Sequence, residues 1–346
     1  MPVVPVERWL YPLPQGLWCE PGQFFIDPRG AVDRAVITHG HGDHARAGHG
    51  AVLATTETVA IMKVRYGANC AGRFDAVALG ETSHVNGVSV RLAPAGHILG
   101  SAQVVLEWAG SRAVVSGDYK RAADPTCAGF EPVACDVFVT EATFGLPVFR
   151  HGRADLEARR LVQSIADEPG RAQLLGVYGL GKCQRMIKLL RNEGFDQPIY
   201  LHTALVGLTR LYQQLGQDLG DVRPVMEAPP QDVKTALVFC PPSAIADRWS
   251  RRFTAPVTAF ASGWMRSRGR IRQSGIELPL VVSDHADWPE LLDTIVETGA
   301  GEVWVTHGRE EALIHQLSLM GIKGRALALV GRDTGDAMLR NEDEGD

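Results

Sequence analysis

The chain has 346 residues, of which 45% are hydrophobic, and it carries a formal net charge of -5 and six cysteines. That length and apolar content can bury a substantial core, as one large or two ordinary domains. No run reaches the roughly 18 apolar residues of a membrane span, no charged start precedes a sustained apolar stretch, and Cys19, Cys70, Cys127, Cys135, Cys183 and Cys240 form no CxxC pair; together these features predict a cytoplasmic protein with reduced thiols and argue against a membrane protein, a disulfide scaffold or a cysteine-zinc module.

From about Phe24 to Phe138, short β-like runs alternate with Gly, Pro and Asp turns. The run Ala35-Val36-Ile37 reads as a strand that leads into Thr38-His39-Gly40-His41-Gly42-Asp43-His44. Its glycines let the backbone turn sharply, so that several side chains can converge on one point. Neutral imidazoles and a carboxylate are ordinary ligands for zinc and also suit manganese or iron. A solvated histidine-rich turn is the alternative for this run taken alone. Two further strand ends carry the same chemistry: Ser89 to Pro94 leads to Gly96-His97, and Ala113-Val114-Val115 leads to Ser116-Gly117-Asp118-Tyr119-Lys120.

After about Pro147 the pattern changes. A helix is expected around 156–166, a strand over 173–178, a helix over 182–192, a strand over 198–201 and a helix near 204–215, an alternation that argues for a βαβ layer. The segment Gly176 to Cys183 nearly matches a phosphate-binding GxxxxGK[ST] loop. Cys183 stands where that loop needs a hydroxyl for magnesium, so ATP use is not expected. Lys182, Arg185, Lys188 and Arg191 recur at helical spacing and would line one side of a helix, either as a solvated face or toward phosphates. Ser262-Gly263-Trp264 then precedes Arg266, Arg268, Arg270 and Arg272, whose alternation would put them on one face of an extended segment suited to a nucleic-acid backbone. Trp264 could stack on a base or simply pack. A third strand, Leu280-Val281-Val282, ends in Ser283-Asp284-His285-Ala286-Asp287. The final residues, 341–346, form an acidic tail that is expected to be disordered and supplies part of the negative total.

The order Asp27, His39-x-His41-x-Asp43-His44, His97 and Asp118 resembles the opening motifs of the metallo-β-lactamase fold. Thr140-Glu141-Ala142-Thr143-Phe144-Gly145 resembles motif A of its β-CASP nuclease branch, the segment around His285 motif B, and Val305-Thr306-His307-Gly308 motif C. Ligase-associated DNA exonucleases of bacteria share the short length and stretches such as Ser116 to Arg121. This resemblance implies an α/β protein: an αββα metallo-β-lactamase sandwich over 1–147 and 265–340, interrupted by a β-CASP domain over 148–264.

It also implies two divalent ions, zinc or else manganese. His39, His41 and His97 would hold one; Asp43, His44 and His285 would hold the other, with Asp118 bridging them. A hydroxide shared by the ions would attack a phosphodiester. Asp27 would orient the ligand loop, Glu141 would tune a site histidine as a general acid, and His307 would sit near the scissile phosphate. Lys182, Ser262, Gly263, Trp264, Arg266, Arg268 and Arg270 are the expected substrate contacts. DNA, single-stranded or with a free end, is the expected substrate, and a DNA ligase and a helicase are implied partners. Motif C carries histidine in RNA-processing members and usually valine in the Artemis-like DNA nucleases, so His307 favours RNA whereas the whole-chain resemblance favours DNA. A small-molecule hydrolase would share the ligands but would leave Glu141, His307 and the insertion unexplained. His49, His84, His151, His202 and His315 are expected to serve as ordinary hydrogen-bonding residues.

Overall fold

A computed structural model describes residues 2–327, so the acidic tail lies outside the described residues. The described residues fall into two compact units, one running to Arg150 and resuming at His285, the other spanning His151–Asp284.

The first unit begins with strands β1 (Leu10–Leu13), β2 (Gly16–Cys19), β3 (Phe24–Ile26), β4 (Arg34–Val36), β5 (Ala51–Thr55) and β6 (Phe74–Val77), which form a sheet in that order. Helix α1 (Thr56–Tyr66) connects the last two, and Thr55 caps it by accepting from Thr58 N. Strands β7 (Thr82–Val85), β8 (Val88–Pro94), β9 (Ala102–Trp108), β10 (Ser111–Val115) and β11 (Val137–Ala142) start a second sheet.

The second unit contains α2 (Ala154–Asp167), β12 (Gln173–Gly176), α3 (Lys182–Asn192), β13 (Ile199–Leu201), α4 (Thr203–Gln214), β14 (Val222–Pro224), α5 (Pro230–Val233), β15 (Leu237–Cys240), α6 (Pro242–Ala246), β16 (Val257–Ala261), α7 (Arg268–Ser274) and β17 (Leu278–Leu280). Every strand pair in its sheet is parallel, in the order β14-β13-β15-β12-β16-β17. The chain then returns to the first unit with α8 (Trp288–Thr298), β18 (Glu302–Gly308), α9 (Glu310–Leu319) and β19 (Lys323–Ala326), where β18 and β19 extend the second sheet beside β11.

Alternation along each strand explains the layers of the first unit. Val36, Leu92, Val104, Val115, Val139 and Trp304 belong to one apolar cluster, supplied by the facing sides of both sheets. Their neighbours Val105, Val114, Phe138, Val303 and Val305 point the other way and pack with Leu291 and Ile295 of α8 and Leu313 and Leu317 of α9. Ala35 and Val52 likewise join Val59 and Met62 of α1. A strand buried on both faces must be apolar at every position, and period-two alternation assigns each residue to one layer. The order of layers is helix, sheet, sheet, helices: the αββα sandwich with an α/β insertion.

The expected helices and strands of the insertion fall within a residue or two of their observed positions, except that the strand after α2 stops at Gly176 and the following residues turn. The resumption point differs more. Residues 265–284, expected in the second part of the sandwich, lie with the insertion because β17 pairs with β16 from Ala259↔Leu278 to Ala261↔Leu280. The arginine run also differs: Arg268–Ser274 is helical, not extended. At 100° per residue, Arg268 and Arg272 share a face while Arg270 points away from it.

Candidate metal centre

The ligand candidates of the first unit gather at strand ends. His39 to His44 follow β4, His97 follows β8, Asp118 follows β10, Glu141 lies near the end of β11 and His307 near the end of β18. Turns at these ends bring the segments together. Gly117 has φ +57°, and a Cβ there would lie 2.7 Å from Thr38 Cβ. Gly308 has φ +100°, and a Cβ there would meet Ala142 O at 2.2 Å. Each glycine therefore permits a close approach that a side chain would block.

Three groups of potential ligand atoms result, each with its atoms within 4.8 Å of one another: His39, His41, His97 and Asp118; Asp43, His44 and His307; and Asp118, Glu141 and His285. His41 Nδ1 lies 3.1 Å from His39 Nε2 and 3.0 Å from His97 Nε2. Asp118 Oδ2 lies 3.5 Å from His39 Nε2, 3.4 Å from His44 Nε2 and 3.9 Å from His97 Nε2. Asp118 thus faces both histidine sets, the placement a bridging carboxylate requires. His44 Nε2 also lies 3.5 Å from Asp43 Oδ2, and the ring centroids of His44 and His307 are 5.0 Å apart.

The grouping departs from the expected ligand sets in one place: His285, expected with Asp43 and His44, falls with Asp118 and Glu141, whereas His307 falls with Asp43 and His44. His285 Nδ1 instead lies 2.9 Å from Glu141 Oε2 and 3.1 Å from Oε1, while Glu141 Oε1 also accepts from Tyr119 N at 2.8 Å. Sequence spacing cannot distinguish the two histidines, because each sits at or just beyond a strand end. The pairing of β18 with β11 brings the end that carries His307 beside Glu141 and Ala142.

A supporting layer aims the ligands. Asp27 Oδ1 accepts from Thr38 N at 2.8 Å, its Oδ2 accepts from Thr38 Oγ1 at 2.7 Å, and Oδ2 also lies 2.7 Å from His44 Nδ1. With Nδ1 engaged, His44 Nε2 is left to face Asp118. Thr38 Oγ1 is 3.0 Å from His39 Nδ1, and Ser101 Oγ accepts from His97 N at 3.1 Å. Thr38, Ser101 and Tyr119 were not anticipated from sequence; a hydroxyl beside a histidine is too common a pattern to single them out. We predict that Asp27→Ala lowers metal affinity by about 10- to 100-fold, as loss of a group that orients a metal-ligating histidine does. Competition with a chromophoric chelator measures this, and unchanged affinity would show that His44 needs no such support.

Charge and burial suit cations. Burial, followed by His44, pushes the His39 imidazole well below the ordinary histidine range, with Asp118 opposing. Burial also disfavours charge on His44, but Asp118, Asp43 and Asp27 outweigh it and hold that imidazole well above the range. For Asp118, burial favours the neutral acid, yet His44 above all keeps the carboxyl well below the usual carboxylate range. His44 Nε2 and Asp118 Oδ1 are buried and make no hydrogen bond among the described residues. Buried polar atoms are normally satisfied, and imidazole and carboxylate atoms converging in this way form an oxygen and nitrogen donor set that fits zinc or manganese.

No family model matches the chain. A "Probable DNA ligase" from Opitutus terrae is 31% identical over 330 residues, covering 92% of this chain and 31% of that protein. "Cleavage and polyadenylation specificity factor 73" from Drosophila melanogaster is 36% identical over 126 residues, 35% of this chain and 18% of that protein. An "RNase J-like protein" from Methanocaldococcus jannaschii is 31% identical over 128 residues, 34% of this chain and 30% of that protein. The chain belongs to the metallo-β-lactamase β-CASP family. It spans under a third of the length of these relatives. A crystal structure of a protein of unknown function from Enterococcus faecalis V583 matches with a TM-score of 0.57 and 11% identity over 86% of this chain and 79% of that one, a likeness of fold.

The expected substrate contacts of this β-CASP chain all lie in the inserted unit. Ser262 caps the short turn over Gly263–Arg266, accepting from Trp264 N at 3.3 Å. Trp264 is half-buried with the Arg270 guanidinium 4.3 Å from its ring centroid, so stacking on a base would compete with an internal contact. Arg266 and Arg268 are exposed and form no ion pair among the described residues, as phosphate contacts would require. Lys182 differs from expectation: it is buried, with Nζ 2.7 Å from Asp284 Oδ1.

Proposed function

We propose that the protein is a metal-dependent nuclease that hydrolyses phosphodiester bonds, acting as an exonuclease on DNA with a free or single-stranded end in the course of DNA repair. The observation that carries this reading is Asp118, grouped with His39, His41 and His97 and lying 3.4 Å from His44 of the second group, with the Glu141 and His285 pair beside it. Phosphodiester cleavage needs a nucleophile at neutral pH and a proton for the leaving oxygen, and the residues divide between those two needs. His39, His41, His97 and Asp118 would hold one ion, and Asp43, His44, His307 and Asp118 the other. Two divalent ions held there would supply Lewis-acid stabilisation of the phosphate oxygens and would lower the pKa of water from 15.7 to about 7.

The remaining steps belong to the chain itself. Glu141 fixes the His285 ring through Nδ1, so its other nitrogen can hold the proton for the leaving oxygen. Tyr119 N, bonded to Glu141 Oε1, holds the carboxylate in place. Exposed Arg266 and Arg268 would contact the backbone of the strand, and their attraction would weaken with salt. The scattered cysteines, which form no disulfide among the described residues, suit a reducing compartment such as the cytoplasm, and no described helix is long and apolar enough to cross a membrane.

DNA is favoured because the relative matched along 92% of this chain is named a "Probable DNA ligase". Removal of damaged ends before sealing, with a ligase and a helicase as partners, is the role proposed with this reading; the name of that relative supports the ligase alone. RNA processing is the second reading, favoured by His307 and by shorter matches to proteins named endoribonuclease. End-labelled single-stranded DNA and RNA of one sequence, incubated with zinc or manganese, separate the two. Stepwise loss of DNA from one end is expected, abolished by chelator and restored by metal. Preferential RNA cleavage would establish the second reading, and cleavage of neither would remove the nuclease.

A further inference from the structure

The second unit buries a pair of charges that the chemistry above does not use. The side chains of Lys182 and Asp284 are each 6% exposed, and Lys182 Nζ lies 2.7 Å from Asp284 Oδ1. Desolvation makes such a pair a poor source of stability compared with apolar side chains of the same volume, and its best-attested benefit is to select one conformation over others. Three residues along the same helix, buried Arg185 donates from Nη1 to the carbonyl of Ser283. Positions i and i+3 of α3 therefore grip two consecutive residues of the segment that follows β17.

The gripping helix is itself well anchored. Gln184 accepts from Gly181 N at 2.8 Å and donates to Gly179 O at 2.9 Å and to Thr209 Oγ1 at 3.0 Å. Lys182 Nζ also stands 5.1 Å from the Tyr178 ring centroid. Asp284 is joined by a single peptide bond to His285, so whatever fixes Asp284 limits the backbone torsions that aim the imidazole. On the other side of His285, Ala286 N donates to Tyr119 O at 2.6 Å, and Asp287 caps α8 by accepting from Glu290 N at 3.2 Å.

We propose that Lys182 and Arg185 are positioning residues, a clamp that acts through Ser283 and Asp284 to hold His285 in line with Glu141. This rests on the reading of His285 as the proton donor. It replaces the expected phosphate contact for Lys182, whose ammonium is committed to Asp284. Misplacing a reacting group by about 1 Å can cost about 10²-fold in rate, so the clamp acts on turnover and not on substrate affinity.

The test is steady-state cleavage of single-stranded DNA by Lys182→Met, Lys182→Arg and Asp284→Asn, with KM, salt dependence, bound zinc and thermal midpoint measured in parallel. Lys182→Met is expected to lower kcat by about 10²-fold with KM, salt slope and metal content unchanged, and Lys182→Arg to recover most of the loss. A raised KM with a shallower salt slope would make Lys182 a phosphate contact and overturn the clamp. An unchanged kcat in the folded variant would do the same. Should Lys182→Met not fold, the isosteric Asp284→Asn gives the same split, and wild-type kcat there refutes the proposal. Wild-type protein that cleaves neither DNA nor RNA removes the nuclease reading and the clamp with it, whereas an active wild type with unaffected variants removes the clamp alone.

Discussion

Alanine at Asp118 is expected to abolish cleavage, lowering kcat by at least about 10³-fold. Loss of one preorganised charge-stabilising group costs about 10²- to 10³-fold in well-studied sites, and Asp118 faces histidines of both proposed ligand groups. Its Oδ2 lies 3.4 to 3.9 Å from nitrogens of His39, His44 and His97. Without it, a cluster of buried imidazoles loses its central countercharge, so bound metal should also fall from two ions per chain to one or none. Elemental analysis of the dialysed variant, alongside the cleavage assay and circular dichroism to confirm folding, measures both effects. A folded Asp118→Ala protein that cleaves at the wild-type rate would sink the shared-carboxylate mechanism.

The second large effect separates two histidines. His307→Ala is expected to lose one of two bound ions and activity with it, because His307 groups with Asp43 and His44. His285→Ala is expected to keep both ions and lose about 10²- to 10⁴-fold in kcat, the usual contribution of a positioned general acid. Its Nδ1 is engaged by Glu141, so it is oriented as a proton donor. Metal content of the two variants decides: loss of an ion from His285→Ala with full occupancy in His307→Ala would restore the ligand set expected from sequence. A substrate bearing a better leaving group adds a second check, since it should rescue His285→Ala and leave His307→Ala inactive.

Much of the site could be read from the chain because its chemistry is local. His39, His41, Asp43 and His44 fall within six consecutive residues, and a glycine-punctuated turn after a strand can present them together whatever the rest of the fold does. His97 and Asp118 each follow an apolar run, and strands deliver side chains at their ends. The parallel strands of the insertion were also visible, since alternating helices and strands leave few other architectures.

Other assignments depended on partners distant in sequence. Residues 278–280 could have extended either unit, and only pairing with β16 placed them in the insertion. Arginines at every second position suit a strand and a short helix equally; with the residues from 268 helical, the run became two faces instead of one. Lys182 had the spacing of a phosphate-binding residue, but Asp284, about a hundred positions later, claimed its charge.

The sequence by itself determined the types of the candidate ligands, the strand-end loops that carry them and the layered α/β architecture, because hydrophobic periodicity and turn chemistry act over a few residues. Only the tertiary structure decided that His307 stands with Asp43 and His44, that His285 belongs to Glu141, and that a buried ion pair precedes His285. Each of these is a distance between segments far apart in the chain, fixed by sheet register and packing, which local composition does not encode.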